Sequence, residues 1–189
     1  MWALVESDNV TQVYTRPKAL TIGDVNYPSN IFMLWSSSEL EAIGIYAVVI
    51  DNSNLKDKEY YINTNQSFAF ADGTVTATYG TATALPLDDT TTDGVVTRGL
   101  KYTHSQTIDN QAYSLLQPND WMVVRNAESS KAIPSDWLDY RVAVRTAATD
   151  MKTKINAVAN VDALAALYVY NDATPPVRPI GDWPTEPTS

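Results

Sequence analysis

Cysteine is absent from this 189-residue chain, histidine occurs once, phenylalanine three times and glycine seven times. Without thiols there are no disulfides, no thiolate metal ligands and no cysteine nucleophile. A zinc site takes about three or four Cys, His or carboxylate ligands, and no such cluster stands in the sequence. The seven glycines form no phosphate-cradling loop. No apolar run approaches the roughly 18–20 residues that span a bilayer. The opening MWALVESDN lacks the basic flank and apolar core of a secretory signal. Metal, cofactor and membrane are therefore not expected. Basic residues are also scarce, 13 Lys and Arg against 22 Asp and Glu, for a net charge of −9. Residues 1–100 hold 5 against 12, net −7, and residues 101–189 hold 8 against 10, net −2. An acidic surface repels phosphate backbones, so nucleic acid is not an expected partner. What remains is 44% apolar and 19% charged, a folding composition in a chain long enough for one ample core or two small ones.

Two short apolar runs, Trp2 to Val5 and Val10 to Tyr14, flank Glu6-Ser7-Asp8-Asn9 and predict a hairpin that Arg16-Pro17 ends. Tyr27-Pro28 to Trp35 reads as extended or irregular. Ser36 and Glu39 form a capping box before a short helix, with Gly44 placed to stop it. Ile45 to Ile50 is an apolar run expected to be a strand buried on both faces. Strands follow at Glu59–Ile62 and Gln66–Phe70. Ala71-Asp72-Gly73-Thr74 is a hairpin turn before the alternating Val75, Ala77 and Tyr79.

From Thr83 to Thr97 the chain turns to Thr, Asp, Pro and Gly, too poor in large apolar groups to offset ordering, which predicts a linker or exposed loop. Val95-Val96 can add one edge strand. Beyond it the spacing of Ile108, Ala112, Leu115 and Leu116 predicts a helix from His104 that Pro118 stops. Asp120-Trp121 then reads as a turn. Trp137, Tyr140, Val144, Ala147, Met151 and Ile155 make a narrow apolar stripe on a long helix opened at Pro134-Ser135, lying along another helix. Asp162 is expected to cap a last helix, Ala163 to Tyr170. The tail from Thr174, with five prolines, is expected to be extended and laid across a surface through Trp183. The fold class is α+β: a β-rich, antiparallel module with one short helix (1–83), a linker (84–102), a helical domain (103–171) and an extended tail (172–189).

No arrangement points to catalysis. His104 beside Ser105 lacks a nucleophile-elbow sequence and reads as a surface or helix-start residue. Asp88, Asp89 and Asp93 lack the spacing and closing Glu of a calcium loop and read as a solvated acidic loop. Among 22 acids no glycosidase pair stands out. Arg141 and Arg145 sit four apart and repel unless they meet partners, which fits either a solvated face or a partner surface. Trp2, Trp35 and Trp121 read as core, and Trp183 as an anchoring contact.

The C-terminal part, from Leu115-Leu116 through Asn119-Asp120-Trp121, Trp137, Tyr140-Arg141, Val144-Arg145 and Asp182-Trp183-Pro184 to Pro187, resembles the tail fibre assembly proteins of tailed bacteriophages. That family closes with a leucine-rich helix, a DW step, a polar link, W..YR..LR and a WP..P tail. This chain departs in Val144, where leucine is usual, and in the helix expected before the tail. The N-terminal half is similar to a module that opens phage virion and tail proteins of undefined role. The residues carrying that likeness are Trp2-Ala3-Leu4-Val5, Tyr27-Pro28, Trp35, Glu39-Leu40 and Ile43-Gly44-Ile45-Tyr46. The resemblance implies no catalysis and no cofactor. It implies a phage protein that binds tail fibre or neighbouring virion proteins, or further copies of itself, in the virion or in the host cytoplasm during assembly. Trp121, Trp137, Tyr140, Arg141, Arg145 and Trp183 become the expected partner-binding residues, with Arg141 and Arg145 on an accessible face. A stoichiometric fibre, adaptor or head-decoration protein fits the same features. A wall-degrading hydrolase fits them less well.

Overall fold

The computed structural model describes residues 1–188, which fall into two units: Met1–Thr83 and a second starting at Ala84. In the first, β1 (Trp2–Glu6) and β2 (Asn9–Tyr14) form the expected hairpin. Ser7 and Asp8 take φ of 49° and 62°, the left-handed pair that matches the twist of the flanking strands. A second hairpin joins β3 (Leu20–Ile22) to β4 (Val25–Tyr27). The stretch expected to be irregular holds a helical turn, α1 (Ile31–Leu34), which buries Ile31 and Phe32. The capping box opens α2 (Ser37–Glu41) as expected: Ser36 Oγ accepts from the Glu39 N–H, and the Glu39 carboxylate accepts the Ser36 N–H at 2.7 Å. That backbone donor, then the Ser36 hydroxyl, holds the Glu39 carboxyl below its ordinary range.

After α2 come β5 (Ile45–Asp51), the short β6 (Tyr61–Ile62), β7 (Gln66–Ala71) and β8 (Thr74–Tyr79), the last two joined through Asp72 and Gly73 at positive φ. The main sheet runs β2-β1-β5-β8-β7. Its pairs are antiparallel except the central β5 and β8, which run parallel because β7 intervenes in the chain. On one side Leu4, Tyr14 and Ile45 meet Leu20, Ile31, Phe32 and Leu40, with Trp2 against Phe32 at 4.9 Å between ring centroids. On the other side the register aligns Ala3 with Tyr46, Val48 with Val75 and Phe70, and Ile50 with Ala77 and Phe68. The edge strands β2 and β7 approach each other, so this side curls inward and fully buries Val75 and Ala77. Contrary to expectation, β5 is not buried along both faces. The helices cover only its start, and Val49 and Ile50 stay about half exposed.

The second unit opens with a two-residue strand at the boundary, β9 (Thr83–Ala84), then a hairpin of β10 (Thr90–Thr92) and β11 (Val95–Thr97) turning on Asp93-Gly94. This segment is no free linker. The first N–H groups of α3 (Leu100–Leu116), which a helix leaves without internal partners, donate from Leu100 and Lys101 to the carbonyls of Pro86 and Leu87. Asp89 accepts from Gly99 N–H and pairs with Arg98, and Asp88 pairs with Lys101. The Gly99 N–H, then Arg98, holds the Asp89 carboxyl below its ordinary range. The helical region therefore begins at Leu100, inside the expected linker.

A 3₁₀ turn, Gln117–Asn119, leads from α3 into α4 (Asp120–Ser129), where a turn and polar link were expected. The long helix is α5 (Ser135–Ala157), antiparallel to α3, with Lys152 bonded to Asp109 at 2.6 Å. Its buried residues follow the predicted stripe at Tyr140, Val144, Met151 and Ile155, but Ala148 replaces Ala147 and Arg141 joins them. Ile108 and Ala112 face it from α3. The last helix, α6 (Val161–Ala166), is shorter than expected and is capped by Asn160, whose side chain accepts from Ala163 N–H. Asp162 lies inside its first turn instead. Leu164 and, from the tail, Ile180 close this core, each worth about 1.5–3 kcal/mol of apolar burial.

Gly44 joins α2 to the sheet at φ +80°, and a Cβ there would lie 2.8 Å from the Val5 carbonyl oxygen. The Val5 N–H also donates to the Gly44 carbonyl at 2.8 Å, so the backbone cannot retreat without losing that bond. Gly44→Ala is expected to destabilise the β unit by about 1–3 kcal/mol. Urea unfolding should show this as a lower midpoint for the β signal, and an unchanged midpoint would contradict the close approach.

Candidate partner interface

Of the six residues expected to meet a partner, Arg141 lies furthest from that role. Its residue surface is 4% exposed. Nη1 donates to the Leu116 carbonyl at 3.1 Å and to Asn119 Oδ1, and Nη2 donates to Asp120 Oδ1 at 2.6 Å. The three acceptors are consecutive features of one elbow. Leu116 ends α3, Asn119 ends the 3₁₀ turn and is itself 2% exposed, and Asp120 starts α4. Asn119 Nδ2 donates in turn to the Leu115 carbonyl. The last carbonyls of α3, which a helix leaves open, are thus taken up by side chains. Asp120 also gains from its place in the first turn of α4, where the helix dipole favours a carboxylate.

Arg141 is therefore an internal clamp and not an accessible contact. The like-charge repulsion expected with Arg145 is relieved by this sequestration. Arg145 itself remains at the surface, with Nη1 on the Arg141 carbonyl at 3.3 Å. Tyr140 is buried as well, and burial, with Glu186 second, raises its phenol above the ordinary range. Trp137 packs edge-on against it, 6.0 Å between centroids, and is half-buried. Trp183 donates its indole N–H to Gln111 Oε1 on α3 at 3.1 Å and borders the exposed side of α5 at Asp139, Val142 and Ala143. The six do not form one face.

The exposed feature of this region is α4. None of its residues is buried. Trp121, expected in the core, is 53% exposed, and Val123 and Val124 are 42% and 54% exposed. One turn after Trp121, the Arg125 guanidinium lies 4.7 Å from the indole centroid. Its Nε is shielded from solvent yet has no hydrogen-bond partner, and no carboxylate among the described residues pairs with it. A ten-residue helix is marginal without packing, so α4 depends on the Arg141 elbow at one end. At the other end Ser130 adopts a left-handed φ of 55° and Asn126 Nδ2 bonds to the Lys131 carbonyl. Arg125 and Asn119 were not read as functional from the sequence. The pairing of Trp121 with Arg125, four residues on, was the available signal, but it only counts once 120–129 is known to be helical.

His104, expected at the surface or at a helix start, is buried inside α3, with Nδ1 2.9 Å from the Tyr168 hydroxyl. Asp88 and Asp89 are engaged with Lys101, Arg98 and Gly99 instead of forming an open acidic loop. Among the described residues no three His, Asp or Glu converge on a point, and no helix is long and apolar enough to cross a membrane. No protein-family model, curated protein or solved structure matches the chain.

The two arginines should separate cleanly on mutation. Arg141→Ala strips the buried Asn119 Oδ1 of its donor and opens the elbow, an expected loss of about 2–3 kcal/mol. Arg145→Ala is expected to stay within about 0.5 kcal/mol of the parent. Thermal unfolding of the helical signal checks both, and equal effects would contradict the clamp.

Proposed function

We propose that this chain is a non-enzymatic, tail-associated bacteriophage protein that binds a tail fibre or a neighbouring virion protein during assembly. Support for the phage setting is the ordered set from Asp120-Trp121 through Trp137, Tyr140-Arg141 and Arg145 to Trp183-Pro184, which resembles the closing segment of tail fibre assembly proteins. The structural observation that carries the binding role is α4, a helix with an exposed tryptophan, two exposed valines and an arginine lacking an acceptor. Large aromatics and arginines dominate binding energy at protein interfaces, and a partner carboxylate would meet in Arg125 a guanidinium stacked on Trp121 that has no ion-pair partner among the described residues. The contact moves accordingly from the Trp137–Arg145 face to the Trp121–Arg125 face. Its setting is the virion or the host cytoplasm during assembly.

The double variant Trp121→Ala, Arg125→Ala should lower co-purification of tail or fibre protein from infected cells by at least about tenfold. Its helical circular dichroism should stay near the parent value, because neither residue is buried. Recovery of the same proteins at parental levels would overturn the reading. Quantitative mass spectrometry of banded particles separates its two forms. A fixed copy number marks a virion component, and absence from particles with abundance in infected cells marks an assembly factor released afterwards.

A further inference from the structure

The chain returns over α3 after α6, and Trp183 is the large side chain it sets down there. The bond from the indole N–H to Gln111 Oε1 fixes the ring plane while leaving the residue half exposed. Beside the ring opens a groove of about 450 Å³ on the surface, lined also by Thr107, Asn110, Gln111, Ser114, Leu115 and Arg178. That volume lies in the range of small-molecule sites. Arg178 at the edge of the groove pairs through Nε with Asp182 at 3.1 Å, and no carboxylate lines the groove. In a chain of net charge −9 this is a recess without acidic groups.

Its polar groups are amides and hydroxyls with capacity to spare. The Asn110 side chain makes no hydrogen bond among the described residues. Gln111 uses its oxygen on Trp183 and keeps both amide donors. Ser114 Oγ and Thr107 Oγ1 each donate to a helix carbonyl, at 2.9 and 3.0 Å, and keep their acceptor lone pairs. The groove offers a phosphate or sulfate a single cation, Arg178, already paired through Nε, and an acidic chain repels a polyanion. An apolar ligand would strand the amides. A ring with an apolar C–H face and a rim of hydroxyls satisfies both the indole and the amides.

We propose that this groove binds a neutral saccharide, stacked on Trp183 and hydrogen-bonded through Asn110, Gln111 and Ser114. The groove holds no acid pair of the kind that cleaves a glycosidic bond, so the assignment is recognition without hydrolysis. It is independent of the α4 reading, because none of its residues lies on α4.

The test is an NMR titration of the full-length, ¹⁵N-labelled chain, with the Trp183 indole N–H peak assigned through Trp183→Phe. Maltotriose, cellotriose, chitotriose and lactose serve as probes. At least one should shift that peak saturably with a millimolar Kd, and Asn110→Ala should weaken the binding by about tenfold while leaving the rest of the spectrum in place. No shift with any of the four would overturn the proposal. So would a shift that survives both Asn110→Ala and Ser114→Ala unchanged, which would mean contact with the indole without use of the groove.

Discussion

A buried guanidinium sets the terms for the second unit. Taking a charge out of water costs several kcal/mol unless its hydrogen bonds are replaced, and Arg141 replaces them with three acceptors from one elbow. The arrangement works in both directions. The elbow's carbonyl, amide and carboxylate give the arginine a polar shell, and the arginine ties α5 to the point where α3 gives way to α4. Packing of Val144, Met151 and Ile155 along α3 would hold the helical pair together without it. The course of the chain after Leu116 would not be specified. The exposed helix α4, and any binding it performs, follows from that one constraint.

The β unit meets a different difficulty. Its helices are too short to be stable alone, so backbone devices hold them: the reciprocal Ser36–Glu39 bonds at the start of α2 and the left-handed Gly44 at its exit. Phe32, wedged against Trp2 and Tyr14, then gives the sheet a partner over its first strands only. The rest of the sheet closes on itself by curling.

Much of this was legible in the residues, and the misses have identifiable causes. Hairpin turns at Ser7-Asp8 and Asp72-Gly73 and the capping box at Ser36 are local chemistry, and they stand where the sequence puts them. The helical stripe on α5 is a periodicity and survived nearly intact. α3 ends at Leu116 just before Pro118, as expected, but α4 was missed because a proline early in a new turn lacks only an N–H that needs no partner there, so a helix can resume at Asp120. Arg141 misled because a charge read from sequence is assumed to be solvated, while its burial depends on acceptors more than twenty residues away. β5 misled because an apolar run does not say how far its covering layer extends. Trp183, by contrast, anchors the tail as its proline-rich setting implied. The exposure of Trp121 was the least legible feature, since it depends on an elbow that no local pattern announces.

The account stands on Arg141 holding α4 in place from its base. Hydrogen–deuterium exchange across Asp120–Ser129, compared between the parent chain and Arg141→Met, addresses this directly. Protection of the α4 amides should collapse in the variant, while the amides around Val144 and Ile155 keep most of theirs. Unchanged protection across α4, with Arg141 replaced, would contradict the clamp and with it the placement of Trp121.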